Sequence, residues 1–141
     1  MITIGNFEEN IDTRILERGF EIYKNDQILS IEEIDEGYWE AMVRGGADYF
    51  ITINFHDQKI HQSNCTCPYD LGNYCKHQVA IFNFLKYADL SKIKGQHKMK
   101  KIRMIVDDFS TEKLKDCLLE ILRENRIARN QFLSAEEKNN I

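Results

Sequence analysis

Three cysteines and a histidine crowd into the thirteen residues from Cys65 to His77, in the spacing C-x-C-x7-C-x-H. No other feature of the 141-residue chain restricts its fold as much. Residues two apart on an extended strand point to the same side, so Cys65 and Cys67 can aim both sulfurs at one point. Pro68, the single proline, fixes the backbone at the turn, and Gly72-Asn73 tolerate the positive φ a return needs. Cys75 and His77 then open an apolar run that reads as a helix, where free backbone N–H groups can bond thiolate sulfur. Three thiolates and one neutral imidazole complete a tetrahedral zinc shell. With four protein ligands no position is left for a water, so the single zinc is expected to be structural rather than catalytic. Its net charge of about −1 would be offset by Lys76 and the helix N-terminus.

Other readings of these residues explain less. Disulfides would leave His77 without a role and need an oxidising compartment. A Cys–His nucleophile pair would strand two cysteines. Cys117 lies on an apolar helical face and is expected to be an inert core thiol. His61 shares a strand face with Cys65 and reads as an exposed strand histidine or a spare group near the metal. His56 and His97 fall at turn and linker positions.

Composition enters through charge and compartment. The start of the chain carries neither a basic stretch nor a long apolar run, so no secretory signal is read there, and the expected location is cytoplasmic and reducing. No window reaches the ~20 apolar residues of a membrane-spanning helix, and no membrane partner is expected. The net charge of −4 hides an asymmetry. Residues 1–64 hold 5 basic and 13 acidic side chains, residues 65–110 hold 8 and 4, and residues 111–141 hold 6 and 6. An anionic partner is therefore expected at the middle segment.

The surrounding pattern predicts an α+β fold. A helix spans about Asn10 to Asn25, capped by Asn10 or Asp12, with Ile11, Ile15, Phe20 and Tyr23 as its apolar stripe. Strands follow at 27–34, 38–44, 49–55 and 59–64, with short turns that argue for a small antiparallel meander of three to four strands. Trp39, Ala41 and Val43 share one face, as do Tyr49, Ile51, Ile53 and Phe55. The metal knuckle at 65–77 leads into a helix from Lys76 to Ala88, apolar on more than one face and expected to be buried beneath C-terminal helices. Residues 1–90 thus form a zinc-binding α+β domain. Residues 91–109 read as a basic connector. Residues 110–141 read as a helical extension: Ser110 caps a helix to about Glu124, a shorter one spans Arg126 to Ala135, and Glu136 to Asn140 fray.

Cys65-Thr66-Cys67-Pro68 followed by Cys75-Lys76-His77-Gln78-Val79-Ala80 resembles the SWIM zinc finger, in the form of a small bacterial member standing by itself. The resemblance extends upstream through Arg18-Gly19-Phe20, Tyr23 and the two alternating strands, covering about residues 10–88. It implies zinc ligation by Cys65, Cys67, Cys75 and His77, and a role in binding DNA or protein. No Walker-type phosphate loop or kinase motif accompanies it, so no enzyme activity and no small-molecule substrate are expected.

Two roles fit. Nucleic-acid association would use Lys76, Lys86, Lys92, Lys94, Lys98, Lys100, Lys101 and Arg103 to neutralise phosphates. A protein-interaction adaptor or regulatory subunit would use the acidic sheet half, the apolar helix and the large loop side chains Tyr69, Leu71 and Tyr74, which otherwise pack around the metal.

Overall fold

In the computed structural model, which describes residues 2–95 and 97–139, the first helix starts at Asp12, whose side chain accepts a 2.8 Å hydrogen bond from the Arg14 N–H. This helix, α1, spans Thr13–Lys24 and buries Ile15, Gly19 and Ile22. Of the expected stripe, Ile15 is buried and Ile11 and Tyr23 pack against the core, whereas Phe20 is 42% exposed. Gly19 decides the orientation. A Cβ there would run into the Val79 side chain and lie 2.9 Å from the Lys76 carbonyl, so this glycine is where the second major helix crosses.

Five strands form one antiparallel sheet: β1 (Ile2–Thr3), β2 (Ile28–Asp35), β3 (Tyr38–Arg44), β4 (Asp48–His56) and β5 (Lys59–Cys65), in the order β1-β5-β4-β3-β2. The meander from β2 to β5 follows the sequence pattern. The extra strand is β1, which pairs Ile2 with Ile60 and is too short to show any periodicity. Register shifts between Ile28 and Ser30 and between Glu33 and Asp35 explain why the β2 isoleucines do not alternate. At the β4–β5 turn, Asp57 and Gln58 both adopt positive φ (51° and 65°), as a tight hairpin requires.

The core lies on one face of this sheet. Trp39, Ala41, Val43, Ile51, Ile53 and Ile60 meet Ile15 and Ile22 of α1 and the helix α2, Lys76–Tyr87. Val79, Ala80, Ile81, Phe82 and Leu85 of α2 are all buried. Its several apolar sides are filled by the sheet, α1 and the N-terminal segment. Phe82 packs edge-on against Phe7 and Tyr74, with ring centroids 5.6 and 5.5 Å apart.

The chain divides into two compact units, Met1–Lys100 and Lys101–Ile141. The basic stretch expected to be a connector contains a 3-10 turn at Leu90–Lys92 and the helix α3, Lys98–Asp107. Met99, Ile102 and Val106 sit at helical spacing there, hidden among lysines. Glu33, buried in β2, holds the preceding segment: it accepts from the Gly95 N–H at 2.7 Å and from the His97 ring at 2.6 Å, and also from the Gly37 N–H. His97 is thus a tether rather than a free linker residue. Burial works to raise the Glu33 carboxyl, but these hydrogen bonds outweigh it and hold the group below its usual value.

Helix α4 spans Thr111–Glu124 with Ser110 as its cap, and α5 spans Arg126–Asn139. The helix therefore continues past Ala135 through the polar residues expected to fray; Asn140 lies outside the described residues. Cys117 is half-buried on α4, not a core thiol, because none of the described residues from 101 onward is buried.

Candidate metal centre

The four expected ligands converge. The sulfurs of Cys65, Cys67 and Cys75 and a ring nitrogen of His77 all lie within 4.8 Å of one another. His77 Nδ1 is 3.8 Å from Cys65 Sγ and 3.7 Å from Cys75 Sγ. Zn–S bonds near 2.3 Å and a Zn–N bond near 2.0–2.1 Å, arranged tetrahedrally, place neighbouring donors about 3.6–3.8 Å apart. Number, type and spacing of donors fit one structural Zn2+.

Each ligand is aimed by a different piece of local structure. Cys65 ends β5 opposite Ile51, and the strand direction carries on into the loop through Thr66. The Thr66 N–H donates to the Phe50 carbonyl at 3.1 Å, while the Phe50 N–H donates to Thr66 Oγ1 at 3.0 Å. This double clasp keeps Cys67 in line with Cys65. Cys75 is the N-cap of α2, and Gln78 three residues on completes a capping box. The Cys75 N–H donates to Gln78 Oε1 at 2.7 Å, and the Gln78 N–H donates to Cys75 Sγ at 3.5 Å. The Gln78 amide also donates to Ser63 Oγ at 2.9 Å, tying the helix start to β5. The Tyr49 ring lies tilted over His77 at 4.4 Å, and Gly45 is what lets the β3–β4 turn approach: a Cβ there would sit 2.7 Å from the Tyr49 ring. His77 Nε2 is buried and meets no hydrogen-bond partner among the described residues.

The thiols are strongly linked. The hydrogen bond shared by Cys65 and Cys75 lowers the Cys75 thiol to about 4, helped by His77 and the Gln78 N–H against the opposing effect of burial. The same bond pushes Cys65 up, with burial adding to it. A metal entering this shell displaces the protons that the thiols still hold.

Thr66, Gln78 and Tyr49 were missed in the sequence, although Cys75-x-x-Gln78 carries a readable signal. It is the capping-box spacing with cysteine in place of serine. Among the cavities that flank the centre are two of about 410 and 270 Å3. Arg18 and Lys76 line both, Tyr49, Tyr69 and Asp70 line the larger, and Glu21 and Arg44 line the smaller. Arg18 and Arg44 are far from the knuckle in sequence, and only the fold brings them to it. Of the loop side chains, Tyr74 packs on Phe82 and Tyr69 lies partly buried against the core, while Leu71 is 87% exposed at the tip.

The basic run is not one free patch. Lys86 pairs with Glu8 at 2.9 Å, and Lys98 with Glu32 at 2.8 Å. These acids raise both lysines above their usual value. Lys92 and Arg103 also have partners, whereas Lys94, Lys100 and Lys101 are exposed side chains. His61 is exposed and meets His56 edge-on at 5.9 Å, away from the ligand set.

Residues 49–86 match the family model of the SWIM zinc finger. The match begins at the strand carrying Tyr49 and ends in α2, so it is narrower than the 10–88 span the sequence suggested. No curated protein and no solved structure matches the chain significantly. No helix among the described residues is long and apolar enough to cross a membrane. The chain carries a SWIM-type zinc finger built around a Cys3His centre.

Proposed function

We propose that this chain is a non-catalytic binding module whose zinc shapes a cationic cleft for the phosphate backbone of a nucleic acid. The observation that carries the reading is the placement of Arg18 and Lys76 on both cavities beside the knuckle, with Arg44 joining them on one side. Cations from α1, β3 and the start of α2 thereby converge from distant parts of the sequence. The Tyr49 and Tyr69 rings in the same cleft offer apolar faces beside the phosphate-binding groups. The closed ligand shell supports a role without turnover, since four protein donors leave no position to activate water.

The sequence had put the contact on the basic run from Lys92 to Arg103. The ion pairs of Lys86 and Lys98 favour the knuckle over that run, because a lysine already held by a carboxylate must give up that partner to meet a phosphate. The test is binding to mixed-sequence DNA and RNA across a salt series. Affinity should fall steeply with salt. It should weaken roughly tenfold or more when Arg18 and Arg44 both become Glu, with zinc content unchanged, and less when Lys100 and Lys101 become Glu. No association with either nucleic acid at low salt overturns the reading and assigns the finger to a protein partner.

A further inference from the structure

We infer that the helices from residue 101 onward form a two-fold interface with a second copy of this chain. The first ground is an incomplete core. Among the described residues of this 41-residue unit none is buried, and Leu114, Leu118, Ile121 and Leu133 are 40–56% exposed. Units near 40 residues rarely sustain themselves on their own core, and association is one of the usual remedies. The helices themselves are properly begun: Ser110 accepts from the Lys113 N–H, and Asn125 from the Ala128 N–H. Good caps and amphipathic spacing without anything buried describe helices awaiting a partner surface.

The second ground names the partner. Helix α5 opens with Arg126 and Arg129 and carries Glu136 and Glu137 near its end, followed by Lys138 in the last turn. The two arginines at its start run against its own dipole, which favours acids there. No ion pair joins these two arginines and two glutamates to any described residue; the Arg129 guanidinium donates to the Arg123 carbonyl, at 3.1 Å. Positions 126, 129, 133, 136 and 137 fall on one side of the helix. An antiparallel copy would set the arginines of each α5 opposite the glutamates of the other, with Leu133 near the axis between them. A two-fold axis makes both contacts at once, because residue i meets j wherever j meets i. A parallel copy would oppose like charges. The charge order therefore selects a second copy in one orientation.

The test is sedimentation equilibrium of the full, zinc-loaded chain, with paired charge reversals. The wild type should be a reversible dimer. Arg126→Glu with Arg129→Glu should raise the dimer Kd roughly a hundredfold or more, as should Glu136→Arg with Glu137→Arg. Mixing the two variants should restore a dimer containing one of each, which a misfolded variant could not do. A wild type that stays monomeric at all accessible concentrations, a dimer indifferent to both reversals, or a mixture that fails to pair would each overturn the inference.

Discussion

The first hundred residues and the remainder of the chain solve the problem of stability in opposite ways. In the first unit Trp39, Phe7, Phe82, Ile51 and Ile53 are almost fully enclosed, and the Cys3His centre joins the end of β5 to the start of α2. In the second unit the helices are as well capped, yet no described residue is buried. Capping and periodicity suffice to make helices. A core needs long-range partners, and here these are supplied by a sheet and a metal.

Zinc removal should break the comparison most severely. Binding at such centres is worth roughly 10–16 kcal/mol apparent, as large as the whole stability of about 5–15 kcal/mol of a typical domain. Chelation, or Cys75→Ser, should expose the buried Trp39 and red-shift its fluorescence. The helical circular dichroism of α4 should survive, and its loss together with the tryptophan signal would show that the two units are not independent.

Matched truncations sharpen the contrast. Phe82→Ala, at a fully buried site, should cost about 3–5 kcal/mol in denaturant unfolding. Phe132→Ala, at a side chain 43% exposed, should cost within about 0.5 kcal/mol. Equal costs would erase the distinction.

Glu33 comes next. Glu33→Gln should cost about 1–3 kcal/mol, because it weakens the bonds to Gly95, His97 and Gly37. The folded carboxyl lies below its usual value, so its contribution is present above the unfolded pKa of about 4.3 and is lost as pH falls through the lowered folded value. The stability difference between wild type and Glu33→Gln should therefore shrink only in acid; a difference constant from neutral pH to below that range contradicts the tether. Smallest are the caps. Asp12→Ala in the first unit and Ser110→Ala in the second should each cost about 1 kcal/mol in thermal unfolding, since capping is local and indifferent to the size of the core.

What was legible in the sequence follows the same division between local and long-range. The ligand set was readable because strand and helix geometry act over two or three residues, and Trp39, Ala41 and Val43 declared their shared face by alternation. The two-residue β1 carries no period, and only its pairing with Ile60 makes it a strand. The buried face of α1 depended on Gly19 meeting Val79, sixty residues away. Helix α3 was masked by lysines, whose charge stood out more than the spacing of Met99, Ile102 and Val106. The cationic cleft was invisible because Arg18 and Arg44 reach Lys76 only through the fold.

The central claim is that three sulfurs and one imidazole nitrogen close around a single ion and organise the first unit. X-ray absorption at the zinc edge of the native, reduced protein addresses it directly. The expected spectrum shows one zinc per chain with three Zn–S distances near 2.3 Å and one Zn–N distance near 2.0–2.1 Å. Protein without stoichiometric zinc, or a shell in which water oxygen replaces one of the four side chains, would contradict it.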